Sequence, residues 1–330
     1  MNTIKFLRWS PLTTLIFSHL QNAYGEVQML DAAFLKTWVD APLSRDRRDF
    51  KLRRTYRSRS TRKGFFGFGW CTDFEKKVHK RLEGSKKIWL QDCDRETEYD
   101  LHSPANPKDY FVRKNNIYLR FIDGRLAQKY NHSGQLIYLN EKPGRTVSVE
   151  LIYRPSGLLK EAKTSSETRV FFEFNDRNQI VRINTDSERF EYVYQGENLI
   201  EARKDNRTLH NYTYDAFNNL VRYFSSIGES EEIIYDTEKD WVLSRSLASK
   251  CRENYSYELK IISPTRSRQT STLRRTCPAH TEMKKFEFWI RHGMDGANQL
   301  ERLIVHADGT SRTRVFTNAL GLNKKSQDVP

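Results

Sequence analysis

The strongest constraint on this chain's fold is a repeat of about twenty residues. Six segments open on an aromatic residue, place a small or turn-forming residue about four positions on, and then return to an aliphatic or aromatic residue. They are Tyr130/Gly134/Leu136, Tyr153/Gly157/Leu159, Phe174/Asn178/Ile180, Tyr194/Gly196/Leu199 (one residue short), Tyr214/Asn218/Leu220, and Tyr235-Asp236 to Trp241. The lead aromatics lie 23, 21, 20, 20 and 21 residues apart, and a looser copy spans Phe316 to Leu322. A fixed short period means that one supersecondary unit is laid down again and again.

That unit reads as a hairpin. Phe172/Phe174, Phe190/Tyr192/Tyr194, Tyr212/Tyr214 and Ile233/Tyr235 alternate with period two, the pattern of a half-buried strand. The Asn, Asp and Gly residues that follow tolerate positive φ and bond to their own backbone, which makes a tight turn. A return strand such as Leu220-Val221-Arg222-Tyr223 comes next, then a second turn such as Lys204-Asp205-Asn206. One hairpin is marginal in water, so stability must come from laying hairpins side by side. The expected fold is all-β: stacked hairpins of 20–21 residues in a curved, open sheet with an aromatic column on one face. Composition agrees. Aromatics make up 12% of the chain, which argues against disorder, while 37% apolar residues and a mean hydropathy of -0.77 exclude a membrane-embedded helical protein.

At these residues the repeat resembles the YD repeat of RHS (rearrangement hot spot) proteins, whose unit begins Tyr-Asp and runs through Gly or Asn to Leu. Tyr214-Asp215 with Asn218-Asn219-Leu220-Val221 is the nearest copy, and the others depart at the Asp or at the Gly. Upstream, Phe50 to Ser60 (FKLRRTYRSRS) and Gly64 to Trp70 (GFFGFGW) resemble the segment that precedes the repeats in many RHS proteins. The resemblance covers about residues 27–245, with a weaker tail to 322. It implies a partial β-shell. Large members wrap many repeats into a hollow shell around a C-terminal toxin; here six or seven repeats are recognisable, and neither a shell-closing motif nor an effector domain is expected. Read from the residues alone, Leu52 and Arg54 alternate with Arg53 and Thr55 as in a strand. Gly64, Gly67 and Gly69 mark a bend or a backbone-to-backbone contact. Phe65, Phe66, Phe68 and Trp70 then cap the first repeat or form an aromatic ligand patch.

Residues 1–25 read as an export signal: Lys5 and Arg8, a short apolar segment from Pro11 to Leu20, and Ala23-Tyr24-Gly25 before Glu26. The organisation expected is a signal over 1–25, an RHS-preceding β domain over 26–125, YD repeats over 126–245, a degenerate repeat region over 246–322 and a disordered tail over 323–330. The chain is expected to be periplasmic or secreted. Four cysteines suit such a compartment, and Cys71–Cys93 with Cys251–Cys277 is the expected pairing among three connectivities. Residues 252–276 then form a bridged insertion whose Thr265–Arg275 part is a basic, polar hairpin tip or loop.

The net charge is +14, and residues 45–63 hold ten Lys/Arg against two acidic residues. Arg53, Arg54, Arg57, Arg59, Arg62 and Lys63 are therefore candidate ligands for an anion, with a solvated strand face as the alternative. Cys277-Pro278-Ala279-His280 has metal-ligand spacing but no matching second pair, and no P-loop, Gly-x-Ser-x-Gly elbow or His-Glu-x-x-His appears. No cofactor, catalytic residue or metal site is expected. Three functions stay open. The first is an exported structural or binding module that holds a protein partner or an anionic cell-surface glycan, or pairs with itself through sheet edges. The second is a truncated or accessory component of a polymorphic-toxin system. The third is a carboxylate-based hydrolase or nuclease. Neither nucleic acid nor a membrane span is expected.

Overall fold

The computed structural model describes residues 8–9, 26–42, 51–82, 84–102, 104, 106–140, 147–293, 297–307, 310–315 and 326–329. The fold is all-β, with one short 3-10 turn over Asp73–Glu75 and no α-helix among the described residues. It divides into two compact units, residues 35–229 and residues 1–34 with 230–330. The export segment lies outside the described residues apart from Arg8–Trp9, a two-residue strand pairing with Ala297 and Asn298. The seventh repeat copy, 316–322, also lies outside them.

In unit 35–229 twelve strands run from Asp109–Lys114 to Leu220–Ser225, each hydrogen-bonded antiparallel to its neighbours in sequence. The repeat fixes their register. Each lead aromatic sits directly opposite its aliphatic partner: Tyr130 faces Leu136, Tyr153 faces Leu159, Phe174 faces Ile180, Tyr194 faces Leu199 and Tyr214 faces Leu220. A bulge precedes the aromatic every time, because one extra residue must be absorbed to close the turn. Leu136, Leu159, Ile180, Leu199 and Leu220 are all buried. Each contributes about 1.5–3 kcal/mol by leaving water.

Upstream of the ladder, in the same unit, Lys51–Arg57 pairs with Ala33–Pro42 from residue 35 onward and with Trp70–Thr72. Lys77–His79, Lys87–Asp92 and Arg95–Asp100 form a three-stranded sheet. Cys71 and Cys93 are disulfide-bonded, joining this upstream sheet to the turn after Asp92.

In the other unit the sixth repeat is Ser230–Tyr235 with Val242–Leu247, and Tyr235 pairs with Val242. Val242, and not Trp241, therefore holds the aliphatic position; the turn is one residue longer than in the Tyr130, Tyr153, Phe174 and Tyr214 copies. Arg252–Ser263, Arg266–Thr276, Thr281–His292 and Ala297–Ala307 follow as strands of 11 or 12 residues. Of the hairpin tip or loop expected over Thr265–Arg275, only Thr265 lies in the turn, and from Arg266 onward the chain is a strand. Its inward residues are small and polar (Ser267, Gln269, Ser271), so the alternation was invisible to hydropathy. Their burial is satisfied locally: Gln269 donates to the Leu30 carbonyl at 2.6 Å and Ser271 donates to the Met29 carbonyl. Cys251 and Cys277 are disulfide-bonded at the base of this hairpin. Ser326–Val329, in the expected tail, pairs with Thr310–Val315. The expected boundaries at 125/126 and 245/246 cut the continuous strands Arg125–Tyr130 and Val242–Leu247. A ladder whose every strand pairs with the next has no linker there.

Candidate functional site

The turns of the repeats in unit 35–229 are closed by their own backbone and side chains. After Tyr130, Phe174 and Tyr214 the next residue is an Asx whose side chain closes the turn, whereas Tyr153 and Tyr194 are followed by Arg154 and Gln195. Asn131 Oδ1 accepts the Gln135 N–H at 2.9 Å, Asn175 Oδ1 accepts Arg177 and Gln179, and Asp215 Oδ1 accepts Phe217 and Asn219. The fourth position then needs positive φ, and Gly134, Gly157, Asn178 and Asn218 all have it. The lead tyrosines tie one repeat to the one before. Tyr153, Tyr194 and Tyr214 donate from their hydroxyls to the carbonyls of Leu136, Ile180 and Leu199, at 2.6, 2.7 and 2.8 Å. Burial raises the Tyr194 and Tyr214 hydroxyls well above their ordinary pKa, so both stay donors. Phe174 lacks this bond. There the Arg154 guanidinium donates to the Phe172 carbonyl instead, at 3.2 Å.

The upstream segment lies along these turns: Val78 meets the first, Phe65 to Trp70 runs forward over the third to the fifth, and Tyr56 comes back to the fifth. Val78 N–H bonds to Gly134 O at 2.8 Å, Phe65 O accepts from Ile180 at 2.7 Å, and Phe68 N–H bonds to Glu197 O at 2.9 Å. Tyr56 Oη takes the last turn, donating to Asn218 O at 3.2 Å and accepting from Leu220 N–H at 2.9 Å. Trp70 Nε1 donates to the Tyr214 hydroxyl at 3.0 Å, extending the tyrosine relay into the upstream motif. The rings follow the same order: Phe65 on Phe174, Phe66 on Tyr192 and Trp70 on Tyr212, with centroids 5.0–5.3 Å apart. GFFGFGW therefore spans the third to fifth repeats and does not cap the first. A β-carbon on Gly67 would meet the Glu197 carbonyl, and one on Gly134 the Val78 carbonyl. Two glycines in two different motifs permit one backbone-to-backbone seam.

Under that seam sits a buried ion pair. Arg54 and Asp40 are wholly enclosed, and the guanidinium forks onto the carboxylate from Nε at 2.5 Å and Nη2 at 2.8 Å. Tyr192 donates to Asp40 at 2.7 Å, Arg54 donates to the Tyr212 hydroxyl at 3.2 Å, and the rings of Phe66, Trp70, Tyr192 and Tyr212 stand 5.2–5.7 Å from the cation. Burial opposes the Arg54 charge, and Asp40 together with Tyr212 and Tyr192 outweighs it. Removing one partner from such a pair costs about 3–5 kcal/mol, because the other is left charged in a dry site. Arg54 is thus a core residue, removed from any surface that could meet an anion.

Arg53, Arg57, Arg62 and Lys63 are placed as fasteners. Arg53 pairs with Asp73 at 3.2 Å, Arg57 with Asp94 at 2.5 Å and Lys63 with Glu197 at 3.1 Å. Arg62 donates to the Cys93 carbonyl at 2.7 Å, so Arg57 and Arg62 both grip the turn that carries the disulfide. Arg59 is half-buried on the same segment. The acidic partners lie 13–134 residues away in sequence from these bases, which is why the charge run looked unopposed. Glu75 was missed altogether. It accepts the N–H groups of Phe65 and Thr72 at 2.8 and 2.9 Å, one oxygen each, and stands 3.6 Å from Arg62. Burial pushes its carboxyl up to about 7 against the pull of Arg62 and both donors. Cys277 is disulfide-bonded, and its N–H closes a turn onto the His280 carbonyl. Among the described residues no three His, Cys, Asp or Glu side chains gather where a metal ion could sit.

A family model described as a domain of unknown function (DUF6531) matches residues 26–99, the segment that lies along the repeat turns. No curated protein matches the chain. Among solved structures, a TcdB2-TccC3-TEV crystal structure is similar at 13% identity and a TM-score of 0.25, over 70% of this chain and 15% of that one. TcdB2-TccC3 without its hypervariable C-terminal region is similar at 8% identity and a TM-score of 0.24, over 93% and 23%. A Photorhabdus luminescens Tc holotoxin pore carrying a TccC3 mutation is similar at 10% identity and 0.22, over 90% and 23%. The chain spans less than a quarter of each of these, and superposition this loose transfers neither site nor activity.

Proposed function

We propose that this chain is an exported, non-catalytic structural module of the RHS, or YD-repeat, type, a platform that holds a protein partner. The observation that carries the reading is the double interlock of tyrosine hydroxyls between successive repeats and a pre-repeat segment bonded along their turns. Polar capacity spent on rigidity in this way suits a scaffold. Two disulfides suit an oxidising compartment. A protein partner is favoured over an anionic glycan because Arg53, Arg57 and Lys63 already hold carboxylates and Arg54 is interior.

Two measurements test this. Sequencing the N-terminus of chain recovered outside the cytoplasm is expected to begin near Glu26; recovery only in the cytoplasm with Met1 intact overturns export. Cross-linking in the native cell envelope is expected to join the chain to one protein at fixed stoichiometry. Turnover of a glycan or nucleic acid by the purified chain, abolished by a single Asp or Glu substitution, would replace the scaffold with an enzyme.

A further inference from the structure

The strand Arg252–Ser263 has one open edge. Val242–Leu247 pairs only with Arg252, Glu253 and Asn254, whereas Arg266–Thr276 pairs along the full length on the other side. From Tyr255 to Ser263 no strand among the described residues covers the outer edge. The core-facing rows run out to this edge and stop. Ile261 continues the row of Ser267, Ile290 and Leu300, and Leu259 the row of Gln269, Phe288 and Leu303. The inner members are buried, yet Leu259 is 57% and Ile261 73% exposed. Neighbouring Ile262, on the opposite face, is 44% exposed.

We propose that two copies of this chain associate by antiparallel pairing of these edges about a two-fold axis at Leu259. The sequence Tyr255-Ser256-Tyr257-Glu258-Leu259-Lys260-Ile261-Ile262-Ser263 is self-complementary about that centre. Leu259 meets Leu259 of the partner subunit, extending its apolar row, and Ile261 of the partner subunit comes up beside Tyr257, whose ring packs on Trp241 at 5.3 Å and whose hydroxyl donates to the Val242 carbonyl at 2.9 Å. On the other face Glu258 meets Lys260 of the partner subunit, and symmetry makes the ion pair twice. Lys260 lies opposite Arg268 within its own sheet, so an acidic neighbour on the open side relieves a like-charge contact. Natural sheets guard a free edge with a lone Lys. Here Glu258, exposed on the same face two residues away, supplies the complement that makes the edge adhesive to itself. This proposal stands apart from the scaffold reading and survives its failure.

The test is a charge swap in the full chain, read as mass by sedimentation. Wild type is expected at twice the monomer mass. Glu258→Lys and Lys260→Glu each turn both cross-edge pairs into repulsions and are expected to weaken self-association roughly ten-fold or more. The double variant restores both pairs and is expected to dimerise again. Mixing the two single variants sets like-charged copies against opposite ones, so a heterodimer forms from chains that do not self-associate. Both positions are exposed, so thermal midpoints stay near wild type and exclude unfolding as the cause. Monomeric wild type, a dimer indifferent to either swap, or no rescue in the double variant and the mixture overturns the proposal.

Discussion

Gly134 and Gly157 occupy the same position in consecutive repeats, both at positive φ, yet their surroundings differ. A β-carbon on Gly157 would find its nearest neighbour, the Gln135 amide, at 3.5 Å, while one on Gly134 would enter the Val78 backbone. Gly157→Ala is therefore expected to cost only the left-handed strain, about 1–2 kcal/mol. Gly134→Ala carries that strain and also breaks the seam at its first contact, so its urea midpoint should fall well below that of Gly157→Ala. Equal midpoints would mean that the seam at Val78 contributes nothing. Glu75 makes a second test at this scale. Its folded carboxyl is raised from 4.5 to about 7, so its contribution is complete below 4.5 and is lost as pH rises through 7. His210 acts in the opposite sense. Burial, then Arg54, lowers it from 6.5 to about 4, and its contribution is lost as pH falls from 6.5. The two slopes oppose between 4.5 and 6.5 and hide one another in wild type. Glu75→Gln loses one hydrogen-bond acceptor, about 1–3 kcal/mol at a buried site. Its deficit relative to wild type should shrink between pH 5 and pH 7, and a deficit constant across that range would show that Glu75 does not titrate there.

A simple solenoid tolerates loss of one repeat, because each unit touches only its neighbours. Unit 35–229 should not. Val78, Phe65, Phe68 and Tyr56 bond to the first, third, fourth and fifth turns, so excising residues 174–193 shifts every later turn by one place against a segment that cannot shift with it. The expected outcome is loss of cooperative unfolding in that unit, seen as broad, low-temperature melting; a deletion variant melting as sharply as wild type would make the upstream segment an ornament. The hairpins themselves were legible because tyrosine spacing, Asx turns and positive-φ glycines are all local signals, and Gly67 was rightly suspected of a backbone contact. The seam was not legible. Its bonds are mostly backbone to backbone and join residues 56–164 positions apart, which leaves no periodic trace. For the same reason Arg54 looked like part of a basic surface: its carboxylate, Asp40, comes from another strand. The strand Arg266–Thr276 was hidden because serine and glutamine fill its inward positions.

Over the whole molecule the two disulfides fall one in each compact unit, Cys71–Cys93 within 35–229 and Cys251–Cys277 within 230–330. They close loops of similar size, with separations of 22 and 26, so chain entropy alone would assign each about 3 kcal/mol. Their settings separate them. Cys93 lies in a turn already held by Arg57 through Asp94 and by Arg62 through the Cys93 carbonyl, so polar contacts persist when the sulfurs are replaced. Cys251–Cys277 clamps the base of Arg252–Ser263 and Arg266–Thr276, which share a ladder of 11 residue pairs, and the register there is set by the strands. Replacing either pair with Ser should therefore loosen its own unit by up to about 3 kcal/mol without altering strand content. Hydrogen exchange localises the effect. Cys71→Ser with Cys93→Ser should speed exchange within 51–102, and Cys251→Ser with Cys277→Ser within 247–281, most at the clamped base of the hairpin. If the second pair of substitutions instead collapses protection across all of 252–307, the long strands depend on the bridge for their register and not on their own pairing.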